Sequence, residues 1–147
     1  MHKLRVAGVI DQVRVACDFV KNLAHEAGMD DRFMFECELS IDEICTNIIE
    51  HGYQHNGAQK SIEIRVETLP DVWRFTILDE APRFNPLTTD DPDPAQSLDE
   101  REQGGWGIYF VKQYMQRISY RYENGRNCLI MEKSLPPERC QLSMSSR

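Results

Sequence analysis

The chain has 147 residues, 41% of them hydrophobic and 28% charged, with a formal net charge of -7, which suits one domain around one core rather than two independent halves. The acidic balance disfavours direct nucleic-acid binding, which needs concentrated Lys and Arg, and suits a basic protein partner instead. No apolar run approaches the roughly 20 residues that span a bilayer, and the start MHKLRVAGVIDQVRV lacks the features of a signal peptide, so a cytoplasmic protein with no membrane partner is expected.

Residues 2–6 can form a short strand. Residues 11–27 carry Val13, Ala16, Cys17, Val20 and Leu23 at helical spacing, and Gly28 ends the run. Asp30 or Asp31 offers an N-cap to a second helix, along which Phe33, Cys37, Ile41, Ile44 and Ile48 recur until Gly52. Residues 61–68 and 72–79 alternate in polarity around Pro70-Asp71 and read as a β-hairpin. Residues 81–103 hold the mid-chain prolines and the acidic DDPDP run without periodicity, so a long irregular loop is expected there. A third helix follows over 105–116. Strands over 118–123 and 127–133 then flank Asn124-Gly125-Arg126 as a second hairpin. The order β-α-α-β-β-α-β-β predicts a two-layer α/β sandwich over residues 1–134, a mostly antiparallel sheet with helices on one face, and a polar, disordered tail over 135–147. The five cysteines, Cys17, Cys37, Cys45, Cys128 and Cys140, are odd in number and form no CxxC pair, which fits reduced thiols.

Three stretches can carry chemistry. On the second helix Glu43, Asn47 and His51 stand at i, i+4, i+8 and form one polar stripe. A carboxamide oxygen can serve Mg²⁺, a carboxylate can accept a proton and an imidazole can donate toward phosphate, although a solvated helix face has the same pattern. At the end of the third strand, Asp79 could accept a hydrogen bond from an exocyclic amino group, with Ala81 beside it and Phe84 and Pro86 anchoring the following loop. A simple turn reads the same way. The run Gly104-Gly105-Trp106-Gly107-Ile108 opens the third helix, where glycines let the backbone approach a phosphate and the free N–H groups favour an anion. It is not a Walker loop, and alone it is equally a tight turn.

Taken together and in order, ELSIDEICTNIIEHGY, LDEAPRFNP and GGWGIYFVKQYM resemble the N, G1 and G2 boxes of the GHKL (Bergerat-fold) superfamily. The nearest likeness is to the anti-sigma factor serine kinases of bacterial partner-switching systems, over residues 4–133. The resemblance implies Mg-ATP as cofactor, with Glu43 as general base, Asn47 as Mg²⁺ ligand, His51 on the phosphate side and Asp79 reading the adenine amino group. It further implies nucleotide contacts at Ala81, Phe84, Gly104, Gly105, Gly107 and Ile108, and an ATP lid over 85–103. Ala81 departs from the pattern, standing where the family has a G1 glycine. As partners the resemblance implies a sigma factor, a STAS-domain antagonist phosphorylated on serine, and a possible homodimer. The alternatives are a non-catalytic ATP-binding partner-switch module and the catalytic domain of a two-component histidine kinase, which would need a dimerisation helix pair ahead of Leu4. Arg14 on the first helix is the expected protein-contact residue, and Arg101 the cation that could close the lid.

Overall fold

The computed structural model describes residues 1–88 and 105–137, the side chains of residues 105 and 106 excepted. In chain order the elements are β1 His2–Ala7, α1 Val13–Glu26, α2 Asp31–Asn47, β2 Ser61–Thr68, β3 Val72–Asp79, α3 Gly105–Tyr114, β4 Arg117–Glu123 and β5 Arg126–Ser134. The strands make one sheet in the order β1-β2-β3-β5-β4, and every neighbouring pair is antiparallel. Helices lie on one face, as the sequence order predicts.

Alternation decides which face that is. Ile62, Ile64 and Val66 of β2, Trp73, Phe75 and Ile77 of β3, and Leu129 and Met131 of β5 point inward and are buried. They pack against Val20 of α1, Phe33, Cys37, Ile41 and Ile44 of α2, and Val111 of α3 in one core cluster. The opposite face is laced by ion pairs, among them Arg5 and Arg65 on Glu63 at 3.0 and 2.5 Å, and Arg74 on Glu132 at 2.9 Å. Charged side chains there suit a sheet face that no described helix covers.

Local signals set the helix ends. Gly28, at φ 75°, takes the left-handed position after α1, and the Met29 N–H reaches back to the Ala24 carbonyl. Asp30 caps α2 by accepting from the Phe33 N–H at 2.8 Å. The second hairpin closes through Asn124 and Gly125 at φ 54° and 75°, the two-residue turn that matches strand twist. One expectation changes: regular α2 ends at Asn47, and Ile48–Tyr53 continues as a wider π-type turn. Ile48 keeps the apolar spacing that predicts an unbroken helix, and the widened turn ends at the buried Tyr53.

α2 touches both α1 and α3, so it is the central helix of the layer. Lys133 of β5 secures the junction: its Nζ donates to Glu36 Oε1 and to the Tyr114 carbonyl, each at 3.2 Å, and lies 5.3 Å from the centre of the Phe33 ring. The buried Cys17, Cys37, Cys45 and Cys128 are free thiols, and burial pushes Cys17 and Cys37 up to about 12. They are unreactive packing groups. Cys140 and residues 138–147 lie outside the described residues, as do residues 89–104 with Arg101 and Gly104. Among the described residues no helix is long and apolar enough to cross a membrane.

Candidate functional site

The central helix brings Glu43 against the first turn of α3. A Cβ built on Gly107 would come within 2.1 Å of Glu43 Oε2, so glycine at 107 is what lets the carboxylate sit there. Among the described residues Glu43 has neither a hydrogen-bond partner nor an ion pair, although it is only partly exposed. Burial, followed by the charges of Asp42 and Glu50, raises its pKa above the ordinary carboxylate value. A half-buried carboxylate with no partner among the described residues, set against the first described turn of a helix, is placed to act on something that approaches α3. Asn47 follows one turn later, half-buried, and its carboxamide likewise has no partner among the described residues. His51 lies on the wider turn that follows Asn47 and is exposed.

Asp79 ends β3 and is 5% exposed. Its Oδ1 accepts from the Ala81 N–H and from Asn127 Nδ2, each at 2.9 Å, which leaves Oδ2 with no partner among the described residues. Burial raises the Asp79 pKa, and the bonds from Asn127 and Ala81 oppose that rise. The turn after α2 meets this strand end at Gly52, because a Cβ there would lie 2.7 Å from the Ala81 methyl. Gly52 therefore makes room for Ala81.

Phe84 is 58% exposed, and its backbone N–H donates to Asn127 Oδ1 at 3.1 Å. Ile108 is 6% exposed and belongs to the core cluster, so it holds α3 down. Gly105 is the first residue of α3, as expected.

Sequence reading missed two residues. Asn127 pairs with Asp79 across β3 and β5, and the signal available was a polar residue on the inward stripe 127-129-131. Tyr53 donates to the Ser61 carbonyl at 2.5 Å and accepts from the Glu80 N–H at 2.7 Å, tying the N box to the strand end; burial pushes its hydroxyl up to about 12. Tyr53→Phe leaves the Glu80 N–H without that acceptor. It is expected to lower unfolding free energy by about 1–3 kcal/mol, read from urea denaturation at unchanged slope; an unshifted midpoint would mean that water replaces the hydroxyl.

Two surface hollows of about 350 and 710 Å³ lie away from these residues, and no site residue lines either. The chemistry gathers instead where α2, the end of β3 and the start of α3 converge on the helical side of the sheet. An antiparallel α/β sandwich that carries these groups and has no Walker loop is an ATPase domain of the histidine kinase type. The chain belongs to that family: residues 7–133 match the histidine kinase-like ATPase domain. It is 27% identical over 107 residues to the serine/threonine-protein kinase BtrW of Bordetella bronchiseptica, covering 73% of this chain and 75% of that protein. It is 20% identical over 110 residues to the serine-protein kinase RsbW of Bacillus licheniformis, covering 72% and 68%. Among solved structures it is similar to the RsbU and RsbW domains of Rv1364c from Mycobacterium tuberculosis, with a TM-score of 0.63 at 15% identity. That match covers 92% of this chain and 34% of the other, which supports the fold alone.

Proposed function

We propose that this protein is an anti-sigma factor with serine-protein kinase activity, which binds a sigma factor and phosphorylates a STAS-domain antagonist with Mg-ATP. The observation that carries the reading is the unpartnered Glu43 carboxylate held against Gly107 at the start of α3, with the Asn47 carboxamide one turn away. Asp79 Oδ2 is free to accept from the adenine amino group. The N–H groups at the start of α3 face the phosphates, where they favour negative charge. Glu43 takes the proton of the substrate serine as its oxygen bonds to the γ-phosphorus and the bond to the β-phosphate oxygen breaks, releasing ADP.

Among the described residues no group of three His, Cys, Asp or Glu side chains could hold a metal ion. Mg²⁺ would be held by Asn47, phosphate oxygens and water, a set of hard oxygens that the ion accepts. When bound, it neutralises charge on the β- and γ-phosphates.

The partners rest on the family likeness and on charge, since a protein of net charge -7 attracts basic surfaces. Arg14, the expected contact, is already engaged: it meets Glu38 at 3.0 Å and Asp18 at 3.3 Å. A partner carboxylate would have to compete for it. The test is incubation with Mg-ATP labelled at the γ-phosphate and the STAS-domain proteins and sigma factors of the source organism. The expected result is label on a serine of one STAS protein, and stable capture of one sigma factor. ATP binding without transfer to any of them would favour the non-catalytic partner-switch module.

A further inference from the structure

We propose that Asn127 is a positioning residue that fixes the purine-reading carboxylate of Asp79 and holds the glycine-free turn 79–84 in shape. The proposal rests on the reading of Asp79 as the adenine acceptor. Asn127 is 6% exposed, and its amide is fully engaged. Nδ2 donates to Asp79 Oδ1 at 2.9 Å, to the Ala81 carbonyl at 3.0 Å and to the Pro82 carbonyl at 3.3 Å. Oδ1 accepts from the Phe84 N–H at 3.1 Å and from the Tyr120 hydroxyl at 2.5 Å.

Only a carboxamide has donors on one side and an acceptor on the other in so short a side chain. Aspartate would lose every donated bond and set a second carboxylate beside Asp79; serine or threonine offers a single donor. The brace matters because the exposed Phe84 ring is not packed in the core, so the carbonyls of Ala81 and Pro82 and the N–H of Phe84 are held through the Asn127 amide. Engaging Oδ1 from below also determines which oxygen Asp79 presents to a ligand: Oδ2, with Oδ1 unable to turn outward without breaking two bonds. Asn127 thus acts on nucleotide choice through Asp79, without touching the nucleotide.

The experiment is calorimetric titration of wild type, Asn127→Ala, Asp79→Asn and the double variant with Mg-ATP and Mg-ITP, in which a carbonyl replaces the 6-amino group. Wild type is expected to prefer ATP. Asn127→Ala should weaken ATP binding about 10–100-fold while ITP changes much less, so the preference collapses; adding it to Asp79→Asn should change little further, because the two act as one unit. Equal weakening of both nucleotides, or full retention of the ATP preference in Asn127→Ala, would overturn the proposal and leave the Asp79 reading intact. A wild type indifferent between ATP and ITP overturns both. If Asn127→Ala does not fold, Asn127→Ser, which keeps one donor, is judged by the same criterion.

Discussion

Glu43→Gln is expected to lower phosphotransfer by about 10²–10⁴-fold while Mg-ATP affinity stays within about tenfold, because a general base acts on the rate and contributes little to ground-state binding. The substitution keeps the size of the side chain and its contact with Gly107, so a loss reports the missing base. Single-turnover transfer and equilibrium binding, measured on the same preparation, separate the two effects. The pH profile adds a second reading. Burial and the Asp42 and Glu50 charges raise the Glu43 pKa, so the acid limb of wild-type transfer should fall at a pH above the ordinary carboxylate range. Stability has a definite sign too. The folded state holds the Glu43 proton more tightly than the unfolded chain, so wild-type stability falls as pH rises from the ordinary carboxylate value through the raised one. Glu43→Gln removes that loss and should melt higher than wild type near neutral pH, with the gap closing in acid. Full transfer by Glu43→Gln would take the base role away from this residue.

Gly107→Ala should be nearly as damaging to transfer, for a geometric reason. Its new methyl would lie 2.1 Å from Glu43 Oε2 and 2.8 Å from Glu43 Cδ. The obstacle is the end of a flexible side chain, so the fold can survive by swinging the carboxylate away. The carboxylate is then no longer at its working position, and a misplacement of about 1 Å can cost about 10²-fold in rate. The expected outcome is a folded protein with a melting temperature close to wild type and transfer reduced about 10²-fold or more. Combining Gly107→Ala with Glu43→Gln should add little, because both remove the same function. Additive losses would show that Gly107 serves the phosphates independently of Glu43.

Much of this was legible in the chain because it is local. The alternation of 61–68 and 72–79 reflects a sheet with one buried face, and the Asn124-Gly125 turn and the Asp30 cap are short-range chemistry. The placement of Glu43 and Asn47 on one side of α2 is legible because a regular helix fixes the relation between residues one turn apart. The end of regular α2 at Asn47 is less legible, because no propensity marks the widening that follows it. The exposure of Phe84 and the core burial of Ile108 are set by tertiary packing, which their place in a motif does not carry. The braces of the site, Asn127 on Asp79 and Tyr53 on Glu80, join residues 48 and 27 positions apart. They follow from strand register and tertiary packing, which single-residue patterns do not carry. The same holds for Gly52, whose missing side chain accommodates the Ala81 methyl.

The central claim is that α2, the end of β3 and the start of α3 form one Mg-ATP site, and equilibrium binding tests it most directly. Calorimetry with Mg-ATP should show one site per chain in the wild type, weakened about tenfold or more in Asp79→Asn and in Asn47→Ala, through loss of the adenine acceptor in one case and the metal's carboxamide oxygen in the other. Removing Mg²⁺ should weaken wild type and leave Asn47→Ala almost unchanged. If wild type and both variants bind Mg-ATP equally well, or if none binds it, these residues do not form a nucleotide site and the account is wrong.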